Sequence, residues 1–460
     1  MNTTSTRGRT PLALAIGAAA LGLACAGNAG AGARVNGIPV ANGATLNLTA
    51  GAGELSTPDG GSIHFWGYQD LGGNEGVNLP QYPGPTLIVD QGATVTINLT
   101  SNLPFGQCTS IVFPGHAVTV TGNNSGLLTK EACPGDASPV QYTFTASEPG
   151  TYMYHSGTRP ELQIEMGLVG AIIVRPQAGE DHAYNDPVID TSFDHEYLFL
   201  LSSIDPKIHQ LAEQNRFAEI DLTARWPVYW FINGRAAPDS LAAAFVPWLP
   251  HQPYNTTPRM TPGQRVLVRI IGADKDQHPL HLHGNHYHEI ARYGRLLKTD
   301  GGALASRGKF TTLSVPGQTV DAIFTWTGEK LGWDIYGTPA DGMPDHNCTD
   351  TENNETGESG PDGYADLDAD NPWEYCLDHG RKFPVVLPEN QNLAFGGWWS
   401  GSPFMGQGEP LPPGEGGLNP NNGFFFMWHS HTEKELTNYD IFPGGMLSMM
   451  VVEPPGTPIP

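Results

Sequence analysis

Two distant segments share one pattern, and this repeat constrains the fold more than any other feature of the chain. Residues 151–175 read TYMYHSGTRPELQIEMGLVGAIIVR, and residues 425–453 read FFMWHSHTEKELTNYDIFPGGMLSMMVVE. Each has an aromatic residue, then H-S-x-T-x-x-E-L, then a Gly/Met/Leu cluster and a final apolar run. The repeat predicts two related domains, at 34–178 and 186–456, joined by a linker over 176–186.

Short apolar runs with a period of two predict that both domains are built from strands. Gly (57 residues) and Pro (40 residues) are abundant in the chain and bracket the runs, as turn residues do. Only residues 204–220 have a helical character. We therefore predict an all-β protein made of two β-sandwich domains. The alternating positions are Val95, Ile97 and Leu99, then Val266, Val268 and Ile270, then Val320, Ala322 and Phe324.

The second domain is longer because of an acidic insertion at about residues 335–422. Residues 341–380 contain twelve acidic residues and no Lys or Arg. Asp366, Asp368 and Asp370 alternate, and such carboxylates can converge on a calcium ion. However, Asn371 stands where an EF-hand loop has Gly. The pattern therefore favours a solvated acidic loop, with calcium binding as the alternative.

The N-terminus is predicted to be a secretory signal peptide over residues 1–33. Arg7 and Arg9 precede an apolar run over residues 11–24, which small residues follow. The pattern indicates export to a periplasmic or extracellular location. A lipoprotein anchored through Cys25 is disfavoured, because Gly22 stands where a lipobox usually has Leu. No stretch is long enough to be a transmembrane segment.

Four cysteines remain after the predicted cleavage: Cys108, Cys133, Cys348 and Cys376. An even number in an exported chain indicates disulfides. Of the three connectivities, the local pairs Cys108–Cys133 and Cys348–Cys376 are favoured.

The charge balance excludes a nucleic-acid partner. The chain has 23 Lys and Arg against 47 Asp and Glu, a formal net charge of −24. Nucleic acids are bound by cationic patches, and no Lys/Arg-rich run occurs in the sequence. An anionic membrane surface is disfavoured for the same reason.

The histidines are the strongest candidates for chemistry. Five of the 16 histidines lie in QHPLHLHGNHYHEI, and His429 and His431 form a second H-x-H pair, whose first position is matched by His155 in the repeat. In a strand, residues i and i+2 point to the same face, so an H-x-H pair can present two imidazoles to one metal. Imidazole clusters without thiolates suit copper, zinc, nickel or non-haem iron.

At these motifs the sequence resembles the multicopper oxidases. The resemblance rests on YPGPTLIVDQGATVTINLTSNLP (82–104), PGTYMYHSG (149–157), HPLHLHG (278–284) and WHSH (428–431) with GGM (444–446). It implies two cupredoxin-like Greek-key β-sandwiches, as in the small two-domain laccase-like oxidases. Those enzymes are commonly homotrimers that share metal ligands across subunits, so the resemblance also implies a homotrimer.

The family pattern carries over unevenly to this chain. At the type 1 copper site, His278 and Met446 match, but Ser430 stands in the place of the Cys ligand and Glu435 in the place of the outer His. A hydroxyl cannot replace the soft thiolate, so we expect no blue copper centre.

At the trinuclear site of the family, five of eight positions match: His155, His281, His283, His429 and His431. Val112, Pro114 and Gly157 occupy the other three places, with His116 close by. Five imidazoles are enough for one copper ion or two.

The resemblance leaves two functions open. One is a copper-dependent oxidoreductase with a histidine-only centre, which acts on a small-molecule or metal-ion substrate. The other is a catalytically silent protein that stores or delivers a metal, or serves as a scaffold. Zinc is a further alternative to copper, because four imidazoles satisfy its tetrahedral preference.

Overall fold

The computed structural model describes residues 32–306, 308–326, 347–354, 356–361, 365–370, 424–453 and 457–459. Eleven of the described strands precede Pro176. They are β1 (Ile38–Val40), β2 (Thr45–Ser56), β3 (Ser62–Asp70), β4 (Gly84–Asp90), β5 (Thr94–Ser101), β6 (Val118–Thr121), β7 (Asn124–Ser125), β8 (Lys130–Glu131), β9 (Val140–Thr145), β10 (Gly150–His155) and β11 (Val169–Arg175).

These strands form two packed sheets and a small hairpin. One sheet has the order β1-β4-β11-β10, the other has the order β3-β2-β5-β9-β6, and β7 pairs with β8. The alternation predicted at Val95, Ile97 and Leu99 is confirmed, because these side chains are buried in β5 while their neighbours are partly exposed. They join one apolar core with Leu48 and Ile172.

The strands after Pro176 form a second pair of sheets. They are β12 (His195–Ile204), β13 (Tyr229–Ile232), β14 (Arg259–Met260), β15 (Arg265–Gly272), β16 (His278–Leu282), β17 (Tyr287–Arg292), β18 (Arg295–Leu296), β19 (Gly308–Lys309), β20 (Thr311–Ser314), β21 (Thr319–Thr325), β22 (Phe424–Ser430) and β23 (Leu447–Val452). One sheet runs β13-β12-β15-β21-β17-β18, with β19 on β17, and the other runs β14-β23-β22-β16-β20. Their shared core includes Val268, Phe324 and Trp428.

Helices in the described chain are short. They are α1 (Pro160–Gln163), α2 (Pro206–Glu213) and single 3₁₀ turns at Pro104–Gly106, Phe217–Glu219, Leu222–Ala224, Asp239–Leu241 and Glu433–Leu436. α2 and the turn at Phe217–Glu219 confirm the helical character predicted for residues 204–220. The Asp205 side chain caps α2 by accepting a hydrogen bond from the backbone N–H of Lys207. No described helix is long and apolar enough to cross a bilayer.

The two pairs of sheets share an apolar interface. Phe65, Tyr82 and Val169 from the first half form one buried cluster with Leu200 and Phe231 from the second. The two pairs of sheets are therefore packed against each other through buried apolar side chains.

The fold class is confirmed as all-β. The domain boundaries at 34–178 and 186–456 remain a proposal, although every described strand before Pro176 pairs only with strands of the first half. The predicted insertion falls between β21 and β22, and most of it lies outside the described residues. Residues 1–31, which carry most of the predicted signal peptide and Cys25, also lie outside them.

Candidate metal centre

Two adjacent strands bring four of the predicted histidines together. β16 pairs with β22 in antiparallel register, so that His281 lies directly opposite His429. His283 follows the end of β16 and donates its backbone N–H to the Met427 carbonyl, at 3.1 Å. His431 follows the end of β22 and donates its backbone N–H to the Pro279 carbonyl, at 2.8 Å. The ladder therefore places both H-x-H pairs side by side.

The imidazole rings of these residues converge. Ring centroids are 4.9 Å apart for His281 and His283, 5.1 Å for His283 and His429, and 4.6 Å for His281 and His431. One ligand nitrogen from each of His281, His283 and His429 lies within 4.8 Å of the other two. His431 is exposed at the edge of this group. Three nitrogens at this spacing can bind one transition-metal ion.

Hydrogen bonds and burial prepare these imidazoles for a metal. The Nδ1 atom of His281 lies 2.6 Å from the Thr311 hydroxyl, and Nδ1 of His429 donates to the Ser430 carbonyl at 2.6 Å. Both contacts leave Nε2 for a ligand role. Burial, with the neighbouring His429 and His431, lowers the pKa of His281 to about 4. Burial also lowers the pKa of His429. Both rings are thus neutral at pH 7, which metal binding requires.

His155 is not brought to this group within the described chain. It ends β10, faces Val112 through a β-bridge, and its Nδ1 donates to the Ser156 carbonyl at 2.9 Å. Its ring makes no contact with the four clustered imidazoles in the part of the chain that the structure describes. Burial lowers the pKa of His155, so this ring is also neutral at pH 7.

Apolar packing replaces the missing ligands of the first half. A Cβ atom on Gly157 would lie 2.8 Å from Cγ1 of Val112 and 3.1 Å from Oγ of Ser110. His116, the weaker candidate beside Pro114, packs its ring against Phe144 and Tyr152, with centroids 4.8 and 4.5 Å apart. The His116 side chain therefore packs against the core of the first sandwich.

The type 1 copper position holds a network of charges. His278 is fully buried, with Nδ1 at 2.9 Å from a Glu435 oxygen and Nε2 at 3.1 Å from Asp274. Ser430 donates its hydroxyl to the same Glu435 oxygen, at 2.5 Å. Burial alone would lower the pKa of His278, but Asp274 and Glu435 outweigh it and raise the pKa to about 10. Both ring nitrogens of this imidazolium therefore donate to carboxylates.

Further contacts anchor this network. Ser203 donates its hydroxyl to Asp274 at 2.5 Å, and Arg225 lies 3.8 Å from the same carboxylate. Met446 is buried, and its backbone N–H donates to the Glu435 carbonyl at 2.8 Å. A copper ion does not fit a site in which the imidazole of His278 is doubly protonated and the hydroxyl of Ser430 stands in the place of a thiolate. Of the weaker metal candidates, His278 is held here by two carboxylates, and Met446 is buried with its backbone bonded to Glu435.

Sequence reasoning missed three residues around these sites. Asp274 precedes His278 by four residues, and the short spacing was an available signal. Thr311 and Arg225 reach their partners only through tertiary structure. Glu289 on β17 pairs with Arg292 and Lys309, and its carboxylate accepts a hydrogen bond from the Thr312 hydroxyl.

The remaining predicted sites have different outcomes. Cys108 and Cys133 form a disulfide. Cys348 is disulfide-bonded, and Cys376 lies outside the described residues.

The possible calcium site is not assembled in the described acidic segment. Asp366 is buried, and its carboxylate accepts hydrogen bonds from the backbone of Thr351 and Glu352. Asp366, Asp368 and Asp370 do not form a group within metal-binding distance there. Asp366 therefore caps the backbone at Thr351 and Glu352 in this structure.

Comparison with known proteins gives one family. Residues 75–179 match the family model described as multicopper oxidase. The chain is 38% identical over 100 residues to the multicopper oxidase MCE of Talaromyces pinophilus, and this match covers 21% of this chain and 16% of that protein. It is 29% identical over 172 residues to the L-ascorbate oxidase of Cucurbita pepo var. melopepo, which covers 36% of this chain and 28% of that protein.

These matches span less than a third of the length of either relative. Among solved structures, the blue copper oxidase from Nitrosomonas europaea aligns with a TM-score of 0.48 and 16% identity, over 88% of this chain and 85% of that one. The family match over residues 75–179 and the motifs named above make this part of the chain similar to the multicopper oxidases, and the described fold is all-β.

Proposed function

We propose that this protein is an exported, copper-dependent oxidoreductase whose centre uses only histidine ligands. His281, His283 and His429 would hold the copper, with His431 at the edge of the site. The observation that carries this proposal is the approach of three ligand nitrogens to within 4.8 Å of one another. When bound, copper supplies one-electron redox chemistry to a small-molecule or metal-ion substrate.

The side chains around the cluster contribute position and protonation state. The Ser430 carbonyl can only accept, so it fixes the tautomer of the neutral His429 ring, and the Thr311 hydroxyl orients the ring of His281. Because His281 has a pKa of about 4, its ring binds a metal at pH 7 without first losing a proton. The chain thus offers preorganised, neutral ligands.

Electrons would have to reach this centre directly from the substrate. The family route passes through the type 1 copper, whose place is taken here by His278, Glu435 and Ser430. We therefore infer a single centre with one or two copper ions rather than the full set of the family.

A homotrimer is part of this proposal. His155 makes no contact with the clustered imidazoles within the described part of one chain. Its neutral ring, with Nδ1 held by Ser156, is prepared in the same way as the rings of the cluster. We propose that the first half of one subunit brings His155 to the second half of another, which light scattering on the purified protein would test.

Copper loading and oxygen uptake test the function. We expect wild-type protein to bind one or two copper ions per chain by metal analysis, and to consume O₂ with phenolic or metal-ion reductants. His281→Ala and His429→Ala should lose copper, whereas His182→Ala should not, because His182 is paired with Asp181 outside the site. Absence of copper binding in the wild type would overturn the proposal.

The second candidate is a catalytically silent metal-binding protein for storage or delivery. It is favoured by the closure of the type 1 position, where both nitrogens of His278 are engaged by carboxylates. Stoichiometric copper binding without any O₂ consumption would support it over the oxidoreductase. If the wild type and the same variants retained zinc in preference to copper, zinc would replace copper as the proposed metal.

A further inference from the structure

A second group of metal-ligating side chains lies in the first half of the chain. β2 and β3 form a hairpin in which Glu54 is directly opposite His64. The Nδ1 atom of His64 lies 3.0 Å from a Glu54 carboxylate oxygen. Glu54 is open to solvent, with 54% of its side chain exposed, whereas the His64 side chain is 13% exposed. The pair therefore has one buried nitrogen ligand and one accessible oxygen ligand.

Helix α2 supplies the third member of the group. Nδ1 of His209 donates to the His64 carbonyl at 2.5 Å, which fixes α2 against β3. Glu213 follows His209 by four residues, so it lies one turn later on the same face of the helix. As a result, one ligand atom from each of Glu54, His64 and Glu213 lies within 4.8 Å of the other two.

The charges around this group favour the binding of a cation. Two carboxylates meet at one imidazole, and no Lys or Arg in the described ranges forms an ion pair with either of them. The Glu213 side chain makes no hydrogen bond or ion pair within those ranges. Like charges at this separation repel, and a divalent cation would convert the repulsion into attraction.

The surrounding contacts orient the ligands. Ser62 donates its hydroxyl to Oε2 of Glu54 at 2.8 Å, while the other oxygen of Glu54 faces His64. Nε2 of His64 is buried and has no hydrogen-bond partner among the described residues. Among the described residues, Glu54 is thus the one polar partner of this imidazole, and it is a member of the group.

We propose that Glu54, His64 and Glu213 bind a divalent transition-metal ion of the zinc type. One imidazole nitrogen and two carboxylate oxygens are a donor set that Zn²⁺ accepts, and water would complete the coordination at the exposed side. The site belongs to the β2–β3 hairpin and α2, so it is separate from the histidine centre on β16 and β22. It does not depend on the proposed oxidoreductase function.

Zinc titration of the full-length protein tests the site. The His281→Ala/His429→Ala background removes the proposed copper centre, so that the remaining high-affinity Zn²⁺ reports on this group. We expect one equivalent of Zn²⁺ by calorimetry in this background, which is lost when His64→Gln or Glu213→Gln is added. Ser62→Ala should weaken binding by about tenfold or more, because it removes the group that orients Glu54.

His182→Gln is the matched control, since His182 is a partly exposed histidine at 2.8 Å from a carboxylate of Asp181 but without a third ligand among the described residues. This variant should still bind one equivalent of Zn²⁺. Circular dichroism and thermal unfolding of the metal-free variants separate loss of ligand from loss of fold, and Glu213 at the helix end is the safer substitution. Unchanged Zn²⁺ stoichiometry and affinity in both His64→Gln and Glu213→Gln would overturn the proposal.

Discussion

His278 holds a positive charge in a place where the family pattern has a copper ligand. Its two nitrogens face Asp274 and Glu435, and the whole group is buried. Removing one partner from a buried ion pair leaves the others uncompensated, which costs about 3–5 kcal/mol. His278 therefore contributes to the stability of the fold, and its contribution depends on pH.

We predict that His278→Gln destabilises the fold and that the effect shrinks at high pH. The folded pKa of His278 is raised to about 10 from an ordinary value of 6.5. Its contribution is thus fully present below about pH 6.5 and is lost as the pH rises toward 10. Urea unfolding of both proteins at pH 6, 8 and 10 measures the difference. A constant difference across this range would contradict the protonated state.

A second residue-scale prediction concerns the lost thiolate. Ser430→Cys alone should give no intense visible band with Cu²⁺, because Glu435 still holds Nδ1 of His278. Ser430→Cys/Glu435→His removes that carboxylate, while Asp274 continues to hold Nε2–H, as an outer carboxylate does in metal sites. The double variant should therefore show the thiolate-to-copper band. The same band in both variants, or in neither, would show that Glu435 does not control the site.

At the scale of elements, the strand pairing at β16 and β22 could be anticipated from the sequence. The two H-x-H motifs and the apolar alternation predicted strands that each present a pair of imidazoles to one face. The register that sets His281 opposite His429 completes the cluster. That register follows from the packing of the sheet and is not written in either motif.

Other element-scale features needed the tertiary structure. The charge network around His278 joins Asp274, Arg225 and Glu435 from three separate segments, so the spacing of Asp274 and His278 was its one local signal. The Glu54–His64 pair was easier to predict from the sequence. The turn at residues 57–61 is flanked by two strands, and counting outward from it sets these two residues opposite each other. Only Glu213, on α2, required the fold.

The edge of β10 gives a prediction about packing. Gly157→Ala should cost about 1–3 kcal/mol, because the new Cβ meets Val112 at 2.8 Å and Ser110 at 3.1 Å. Val112→Ala/Gly157→Ala should recover part of this loss, since the nearer clash is gone. A double-mutant cycle of chemical denaturation measures the coupling, expected at about 0.5–3 kcal/mol. Additive effects would mean that Val112 does not fill the space beside Gly157.

At the scale of the whole molecule, buried charges join the two halves across the predicted linker. Glu196 on β12 lies 2.6 Å from Arg175 on β11 and 2.6 Å from Arg269 on β15. Arg269 also donates to Thr151 on β10 at 2.9 Å. A single carboxylate thus pairs with two guanidinium groups, one from each half, and Asp321 lies 3.5 Å from the guanidinium of Arg269.

We predict that Glu196→Gln destabilises the whole protein, by about 3–5 kcal/mol near pH 7, because it leaves two buried guanidinium groups without their shared carboxylate. Burial would raise the pKa of Glu196, but Arg269 and Arg175 outweigh it and lower the pKa to about 2 from 4.5. The stability that this carboxylate contributes is therefore present above about pH 4.5 and lost as the pH falls toward 2.

Denaturant titrations of wild type and Glu196→Gln at pH 7, 4.5 and 3 measure this effect. The difference in unfolding free energy should be largest at pH 7 and should decrease below pH 4.5. Glu219→Gln is the control, since Glu219 pairs with Arg216 on the surface and should leave the unfolding free energy nearly unchanged. If Glu196→Gln unfolds like the wild type at pH 7, the two halves are held together by their apolar interface alone.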